Sequence, residues 1–372
     1  MVYLDYAANN KVEDEVIDLY SKLVKENFAN PNSQHKLGIK AKKIIDDSTN
    51  EIANLLNVKS DEIIYTSCST ESNNLVIKGI CERYKNFGKH ILLSSLEHNS
   101  SIAAASYMQD QGFEIELIPI DKNGLVDIQA LKKMIRPDTI LVSVVSVDSE
   151  IGLVQPIEEI SSILKDYPNT FFHTDATQSI GKVNIDYSNV DLITISPHKF
   201  GGLNDISILV KKSNVSLKPQ INGGRSTTVY RSGTPNMPSI AAAALALKIA
   251  LKDMDKNNEY VKTLNNKVIN HLKDYKNVHI NNRENSIPFT INFSIENTKS
   301  QDVVKYFDDK DIYISSKTSC CPVETASKLV YALTKDKSLA SSSVRVSLSK
   351  YATDEDINIF LNEFDIFMRG VK

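Results

Sequence analysis

A series of short runs rich in isoleucine, valine and phenylalanine constrains the fold of this chain more than any other feature. They lie at residues 62–66, 90–93, 113–119, 139–147, 170–174, 191–196 and 206–210. Polar and apolar residues scarcely alternate within the runs, which is typical of strands covered on both faces. Segments with apolar residues at helical spacing, such as residues 12–24 and 41–56, alternate with these runs. The order predicts an α/β domain in which helices flank a mainly parallel sheet through right-handed crossovers.

The pattern changes after an alanine-rich helix that we predict near residues 240–253. Two further strand candidates, residues 289–293 and 343–347, alternate with helices, and the last helix is predicted over residues 354–368. This part of the chain reads as a second, smaller α+β domain. We therefore expect a large and a small domain, formed by residues 13–255 and by residues 1–12 with 256–372, respectively.

The charge balance excludes some classes of partner. The 372 residues include 43 Lys and Arg and 46 Asp and Glu, so the net charge is −3. The chain has no excess of basic residues, so its charge does not indicate a nucleic acid or an anionic membrane as a partner. The longest apolar stretch, residues 240–251, contains Lys248 and is too short to span a bilayer. The first residues do not resemble a secretory leader, and we expect a cytoplasmic protein.

The four cysteines, Cys68, Cys81, Cys320 and Cys321, are too few for a disulfide framework. They form no C-x-x-C pair, so we expect no metal site. Cys68 and Cys81 are interpreted as small apolar packing residues. A reducing compartment agrees with this use of cysteine.

Polar residues follow several of the predicted strands, where ligands of parallel α/β sheets bind. The segment TSCSTESN at residues 66–73 comes after a strand and opens a helix. Free backbone N–H groups at such a helix start can hold a phosphate. The same residues also fit a plain Ser/Thr helix cap with a glutamate behind it.

Two further strand ends carry groups that could act on a bound molecule. Asp175 ends one run, and its carboxylate could hold a cationic ring nitrogen, with Gln178 facing the same ligand three residues later. A cap or turn role also fits Asp175. Lys199 follows the apolar run of residues 192–195 and lies beside His198, which suits an imine-forming amine. A surface lysine after a strand is the alternative.

Taken together, these segments and others resemble one family nearly from end to end. The matching motifs are YLDYAA at residues 3–8, NFANPNS at 27–33, TSCSTESNN at 66–74, EH at 97–98, EIG at 150–152, HTDATQSIGK at 173–182, SPHK at 196–199, RSGT at 231–234 and SVRVS at 343–347. The chain resembles the pyridoxal-phosphate enzymes of the class V aminotransferase group, and most closely the cysteine desulfurases of the NifS/IscS type. The resemblance implies fold type I of these enzymes, with pyridoxal 5'-phosphate as the cofactor.

The resemblance also implies a role for each matched residue. Lys199 corresponds to the lysine that forms the Schiff base, Asp175 binds the ring nitrogen and Gln178 the phenolic oxygen. His98 stacks on the ring and relays protons. The residues that correspond to phosphate-binding positions are Ser69, Thr70, Ser196 and His198. Thr234 corresponds to a residue that reaches the phosphate of the neighbouring subunit. Arg345 corresponds to the residue that binds the substrate carboxylate. The Thr234 match implies a homodimer with shared sites.

The segment SSKTSCC at residues 315–321 lies where cysteine desulfurases carry a nucleophilic cysteine on a loop. Cys320 matches that position, and Cys321 is an alternative nucleophile or a second sulfur carrier. In the family this thiolate attacks the sulfur of the bound cysteine and becomes a persulfide, and alanine is the other product. The nearby Lys317 suits a reactive thiolate.

The chain departs from the family pattern in several loops. Cys68-Ser69 replaces Gly-Ala, and Asp148-Ser149 stands where paired Asn residues are usual. Leu203–Asp205 and Arg225–Thr228 also differ, and Lys317 replaces a glycine. The core cofactor residues are thus kept, whereas loops on the substrate side diverge.

The function that follows is conversion of L-cysteine to L-alanine, with the sulfur passed as a persulfide to Cys320 and then to an acceptor protein. A selenocysteine lyase, or another class V lyase or aminotransferase, is one alternative. A non-catalytic scaffold that binds the cofactor and derives from a desulfurase is another. Retention of residues such as Lys199, Asp175 and Arg345 favours the enzyme, because a scaffold has no physical need for all of them.

Overall fold

The computed structural model describes residues 1–224, 226–316 and 326–371. In chain order, the strands are β1 (Val2–Tyr3), β2 (Ile63–Thr66), β3 (His90–Ser94), β4 (Glu114–Ile118), β5 (Thr139–Ser143), β6 (Phe171–Asp175), β7 (Leu192–Ile195), β8 (Ser207–Lys211), β9 (Val278–Ile280), β10 (Thr290–Ile295), β11 (Ile312–Tyr313) and β12 (Ser343–Ser347). The helices are α1 (Asp14–Glu26), α2 (Lys36–Leu56), α3 (Ser69–Tyr84), α4 (Asn99–Asp110), α5 (Ile128–Met134), α6 (Ile157–Leu164), α7 (Met237–Lys252), α8 (Met254–Leu272), α9 (Ser300–Asp308), α10 (Lys328–Thr334), α11 (Lys337–Ser342) and α12 (Asp354–Gly370).

A mainly parallel sheet lies at the centre of the fold, as the sequence predicts. Within the described ranges it has seven strands in the order β2-β8-β7-β6-β5-β3-β4. The neighbours from β7 through β6, β5 and β3 to β4 are all paired in parallel. The carboxyl ends of these strands therefore meet at one edge, which is where a ligand is expected.

β8 runs against its neighbours β7 and β2, a reversal that the sequence analysis did not foresee. Parallel neighbours need a crossover of a dozen or more residues, usually with a helix. Only a 3₁₀ turn, Pro197–Lys199, and a short loop separate β7 from β8. The chain therefore turns back and pairs antiparallel, and β2, on the far side of β8, again runs parallel to the rest.

Apolar side chains cover both faces of this sheet, which explains why its strands lack alternation. In β2, Ile63 and Tyr65 join one core with α1, α2 and α7, whereas Ile64 joins a second core with α3 and α4. The edge strand β4 differs, because most of its side chains are at least partly exposed. Because the central strands are buried on both faces, their residues are almost all apolar, and this composition is enough to identify them in the sequence.

A separate hydrophobic core lies around the antiparallel sheet β12-β10-β9. Helices α8, α9 and α12 contribute to it, and so do Val2, Leu4 and Tyr6 from the start of the chain. β1 pairs in parallel with β11, which holds the first residues against this region. The two-residue strand β1 has no sequence signal of its own. The division at residues 12/13 and 255/256 remains a prediction.

Among the described residues, no helix has the length and apolar character needed to cross a bilayer.

Candidate active site

A cavity of about 280 Å³ opens at the carboxyl ends of the parallel strands. It brings together most of the residues that the sequence analysis singled out, which reach it from different elements. Those lining it are Ser69, Thr70, His98, Asp175, Gln178, Ser196, His198, Lys199 and Arg345. Residues far apart in the chain thus share one site because their strands end at the same edge of the sheet.

Asp175 is the last residue of β6 and is only 3% exposed. Its Oδ2 accepts a 2.8 Å hydrogen bond from Asn73 Nδ2, and its Oδ1 accepts from the Thr177 backbone N–H at 3.0 Å. These donors hold the carboxylate in a buried position where it can face a cationic group. The Thr177 contact is a local turn, so the turn interpretation of Asp175 agrees with the structure, and its role toward a ring nitrogen stays a prediction.

Asn73 is a site residue to which sequence reasoning assigned no role. It lies fully buried in α3, and Nδ2 also donates to Ser100 Oγ at 2.9 Å. Its Oδ1 has no hydrogen-bond partner within the described part of the chain. In the sequence, Asn73 stands out only as a member of the matching motif at residues 66–74, on the helix that follows β2. It acts on the site by positioning Asp175.

Lys199 ends the 3₁₀ turn after β7. Its Nζ donates to the carbonyl oxygens of Ala7 and Ala8 at 2.8 and 2.6 Å. The segment after β1 therefore positions this amine at the cavity, which explains why the YLDYAA motif belongs to the site. A surface lysine would have no such contacts, so the interpretation of Lys199 as a cavity amine describes the structure better.

His98 caps the start of α4, and its Nδ1 accepts a 3.2 Å hydrogen bond from the Ser100 backbone N–H. An accepting Nδ1 corresponds to the neutral imidazole with its proton on Nε2. Burial lowers the pKa of His98, and the charge of Lys199 acts in the same direction while Asp175 opposes both. The ring is thus held neutral at the cavity wall.

The hydroxyl residues form a cup at the start of α3. Ser69 Oγ contacts Ser196 Oγ closely and lies 3.3 Å from Thr177 Oγ1. Cys68, the capping residue of α3, makes no side-chain hydrogen bond to the helix, so the first-turn N–H groups are not satisfied by a side-chain cap. Hydroxyls and such N–H groups are suitable partners for a phosphate. The Glu71 carboxylate does not bind the capping residue Cys68. It accepts a 2.8 Å hydrogen bond from the backbone N–H of Ser67, the residue before Cys68.

His198 lies beside this cup and lines the same cavity. Burial, with the charges of Lys199 and Lys182, lowers the pKa of His198 to about 4. A neutral His198 can donate one hydrogen bond to an anion without adding a positive charge.

Arg345 lies in β12 and is 1% exposed. Its Nη2 donates to Asp5 Oδ1 at 2.7 Å, and its Nη1 donates to the Ser149 backbone oxygen at 2.7 Å. Among the described residues, Arg345 Nε has no hydrogen-bond partner although it is buried. A guanidinium that lines the cavity with an uncommitted N–H is suited to a ligand carboxylate.

Asp148 and Ser149, which replace the usual pair of Asn residues, have different roles in the structure. Asp148 accepts three backbone N–H groups, from Glu150 and Ile151 at 2.8 Å and from Leu153 at 2.6 Å. Burial raises the pKa of Asp148, and these hydrogen bonds oppose the rise. Asp148 therefore stabilises the turn, whereas Ser149 reaches the cavity.

Thr234 does not line this cavity. It lies in a neighbouring cavity of about 200 Å³ with Arg231, Gly233 and Asp205. Arg231 Nε donates to Glu71 Oε1 at 2.9 Å, which links the segment of Thr234 to the first turn of α3. Cys320 and Cys321 lie outside the described residues.

The prediction for Cys68 is wrong, whereas that for Cys81 agrees with the structure. Cys81 is fully buried among apolar residues, and burial raises its pKa to about 12. Cys68 is exposed and lines the cavity. Its place before α3, at the open edge of the sheet, keeps it out of both cores.

Within residues 2–360, the chain matches the aminotransferase class-V family. The chain belongs to this family. It is 37% identical over 366 residues to the cysteine desulfurase IscS of Dictyoglomus turgidum, a match covering 97% of this chain and 93% of that protein. The resemblance inferred from the motifs is thereby confirmed.

Solved structures support the same relationship. A NifS-like protein superposes with a TM-score of 0.94 at 30% identity, and the match covers 100% of both chains. A structure of SspA in complex with cysteine superposes with a TM-score of 0.83 at 29% identity, covering 95% of this chain and 100% of that one. These neighbours confirm the predicted α/β fold with a mainly parallel sheet.

Pyridoxal phosphate is the cofactor of cysteine desulfurases and other class-V relatives, and the donor set of this cavity fits it. A buried carboxylate suits the pyridine nitrogen, an amine suits the aldehyde carbon, and hydroxyls at a helix start suit the phosphate. Asp175, Lys199 and the Ser69–Ser196 pair supply these groups in one cavity. Among the described residues, no cluster of three or more His, Cys, Asp or Glu could hold a metal ion.

Proposed function

We propose that this protein is a pyridoxal-phosphate-dependent cysteine desulfurase. The observation that carries the proposal is the convergence of Lys199, Asp175, His98, Gln178 and Arg345 on one cavity. Each of these residues has a chemical task in the reaction, and they come from elements spread over most of the chain. The naming of its relatives as cysteine desulfurases supports the same reaction.

Arg345 is proposed to bind the α-carboxylate of cysteine. Its Nε is uncommitted among the described groups, while Asp5 and Ser149 fix the plane of the guanidinium. A carboxylate accepts two parallel N–H groups from such a plane, which sets the direction of the substrate.

The cofactor, when bound, withdraws electrons from the substrate carbon atoms next to it. Asp175 stabilises the positive charge on the ring nitrogen that this requires. Lys199 holds the cofactor through its amine and, when released, can move protons to and from the substrate. Gln178, which lines the same cavity, would donate a hydrogen bond to the ring oxygen.

Cys320 is proposed as the nucleophile. Its thiolate forms a bond to the substrate sulfur, and the carbon–sulfur bond of the substrate breaks with its electron pair left on carbon. Protonation of that carbon gives alanine, and Cys320 carries the persulfide. Ser315 exchanges backbone hydrogen bonds with Arg345 at 3.1 and 2.6 Å, so the chain enters the segment of Cys320 beside the carboxylate-binding residue.

A homodimer is part of the proposal, as is transfer of the sulfur to an acceptor protein. Thr234 lines a cavity next to, but separate from, the one that holds its proposed partners. This separation from Ser69, Ser196 and His198 accords with the role that the resemblance implies for Thr234, a contact with the phosphate bound by a second copy. The interface would then be a persistent one.

A side-by-side product assay tests the function. Purified protein with bound cofactor is given L-cysteine, L-cysteine sulfinate or L-selenocysteine, and alanine is measured in each. The proposal expects alanine and protein-bound sulfur from cysteine. Alanine from selenocysteine alone would replace the proposal with a selenocysteine lyase, and no alanine from any substrate would favour a scaffold.

A further inference from the structure

A buried lysine lies next to the cavity and takes no part in the proposed reaction. Lys182 follows Gly181, whose φ of +73° places it in the left-handed region, and whose added Cβ would lie 2.9 Å from Ala250 Cβ. Glycine is therefore needed for this turn after β6. The turn directs Lys182 inward, where it is only 7% exposed.

The amine of Lys182 is committed to Gln178. Its Nζ donates to Gln178 Oε1 at 2.8 Å, and it lies 5.9 Å from the centre of the Phe289 ring. Among the described residues, no carboxylate lies within ion-pair distance of this amine. Burying a lysine without a counter-charge costs free energy, so the position calls for a reason.

Two contacts set which end of the Gln178 amide faces the cavity, one from Lys182 Nζ to Oε1 and one from Nε2 to the Ala7 carbonyl. A side-chain amide has an oxygen that accepts and a nitrogen that donates, and a half-turn exchanges them. Lys182 carries only donors, so it holds Oε1, and Nε2 lies on the other side, where it donates to the Ala7 carbonyl at 2.9 Å. The second N–H of Nε2 remains for a ligand in the cavity that Gln178 lines.

We propose that Lys182 is a positioning residue that keeps the donor end of Gln178 toward the cofactor's ring oxygen. The proposal rests on the proposed function, because it assigns to the cavity the pyridoxal-phosphate cofactor. Lys182 itself does not touch the cofactor in this account. It acts through Gln178.

Protonation does not cancel this role. Burial, followed by the charges of Lys199 and Arg345, lowers the pKa of Lys182 to about 7. An ammonium and a neutral amine both carry N–H groups, so either form can donate to Oε1. The orientation of the amide is thus maintained across neutral pH.

The pH titration of the bound cofactor's visible absorption reports the contact directly. An N–H donated to the ring oxygen stabilises its anionic form, so loss of the donor raises the pH midpoint of the absorption change. One hydrogen bond corresponds to a rise of roughly half to one pH unit in the purified holoenzyme. A lysine with a merely structural role would change thermal stability and leave the midpoint in place.

The test uses Lys182→Met, which keeps the apolar stem and removes the donors, and Lys182→Arg, which keeps donors. We expect the midpoint to rise in Lys182→Met and to stay near wild type in Lys182→Arg. Gln178→Leu should raise the midpoint to a similar extent, and adding Lys182→Met to it should change nothing further. Should Lys182→Met fail to fold, Lys182→Leu, which also lacks donors, is expected to give the same rise.

An unchanged midpoint in a Lys182→Met or Lys182→Leu protein that binds the cofactor would overturn the proposal. So would a rise that persists in the Gln178→Leu background. These outcomes differ from a failure of the proposed function, in which wild-type protein would bind no cofactor or form no alanine from cysteine.

Discussion

Arg345 Nη2 lies 2.7 Å from Asp5 Oδ1, which joins the fifth residue of the chain to a strand near its end. Asp5 also forms a bridge to Ser347, two residues further along β12, so the chain start is held beside this strand. The ion pair orients a guanidinium that is almost fully buried. The start of the chain is therefore part of the proposed substrate site.

Asp5→Ala is expected to raise KM for L-cysteine about tenfold with a smaller change in kcat, since one charge-assisted hydrogen bond that orients Arg345 is lost. Asp5→Asn keeps an acceptor oxygen and should raise KM less. Steady-state measurement of alanine formation separates the two parameters. An unchanged KM in Asp5→Ala would show that Arg345 needs no help from Asp5 or does not bind the substrate.

Asn73 and Asp175 give a second prediction, on cofactor affinity. Asn73→Ala removes the 2.8 Å hydrogen bond to Asp175 Oδ2, and we expect the affinity for pyridoxal phosphate to fall about tenfold. Asn73→Asp places a second carboxylate against Asp175 and should weaken binding more. Titration of cofactor-free protein, followed by absorption, measures both. Wild-type affinity in Asn73→Asp would contradict the assigned role of Asp175.

Lys199 should be the residue that carries the cofactor. Borohydride reduction of the holoenzyme is expected to leave the cofactor covalently on Lys199, and Lys199→Ala should abolish alanine formation, because the imine-forming and proton-moving amine is gone. Peptide mapping locates the label. Lys182 is the internal control, since it is buried near the cavity yet bonded to Gln178. A label on Lys182 would contradict the assignment.

The buried ring of His173 leads us to predict that the free energy of unfolding depends on pH. The ring is fully buried between Ser143 and Thr194, and burial lowers its pKa in the folded state, while Asp175 opposes the shift. The unfolded chain therefore binds a proton that the folded chain refuses, and stability is lost as pH falls below about 6.5. His173→Gln removes the titrating group and should reduce the loss in unfolding free energy between about pH 7 and pH 5. Urea unfolding at both pH values checks this, and an equal loss in both proteins would exclude the effect.

Much of the fold follows from composition, because the central strands are buried on both faces. Apolar runs without alternation, rich in isoleucine and leucine, mark β2, β3 and β5, whose side chains are shared between two cores. The direction of β8 could not be predicted from its own residues. It depends on the absence of a crossover helix before it, which is a property of the connection. The strand β1 depends entirely on its partner β11.

The candidate site is predicted best where a residue ends a strand. Asp175 and Lys199 occupy such positions, and the structure brings them together. Asn73 and Lys182 were not assigned roles, because each acts through a second side chain that only the folded structure shows. Cys68 was misjudged because a cysteine looks the same in sequence whether it packs in a core or lines a cavity.

The most direct test of the account is mass spectrometry of the protein after incubation with L-cysteine. Because Cys320 is the proposed nucleophile, wild-type protein should gain one sulfur atom on the peptide that contains it. Cys320→Ala should bind the cofactor but gain no sulfur, and Cys321→Ala should gain it and at most pass it on more slowly. Sulfur on Cys321 alone would move the nucleophile by one residue. No added sulfur on either thiol, in protein with bound cofactor, would contradict the proposal that this chain is a cysteine desulfurase.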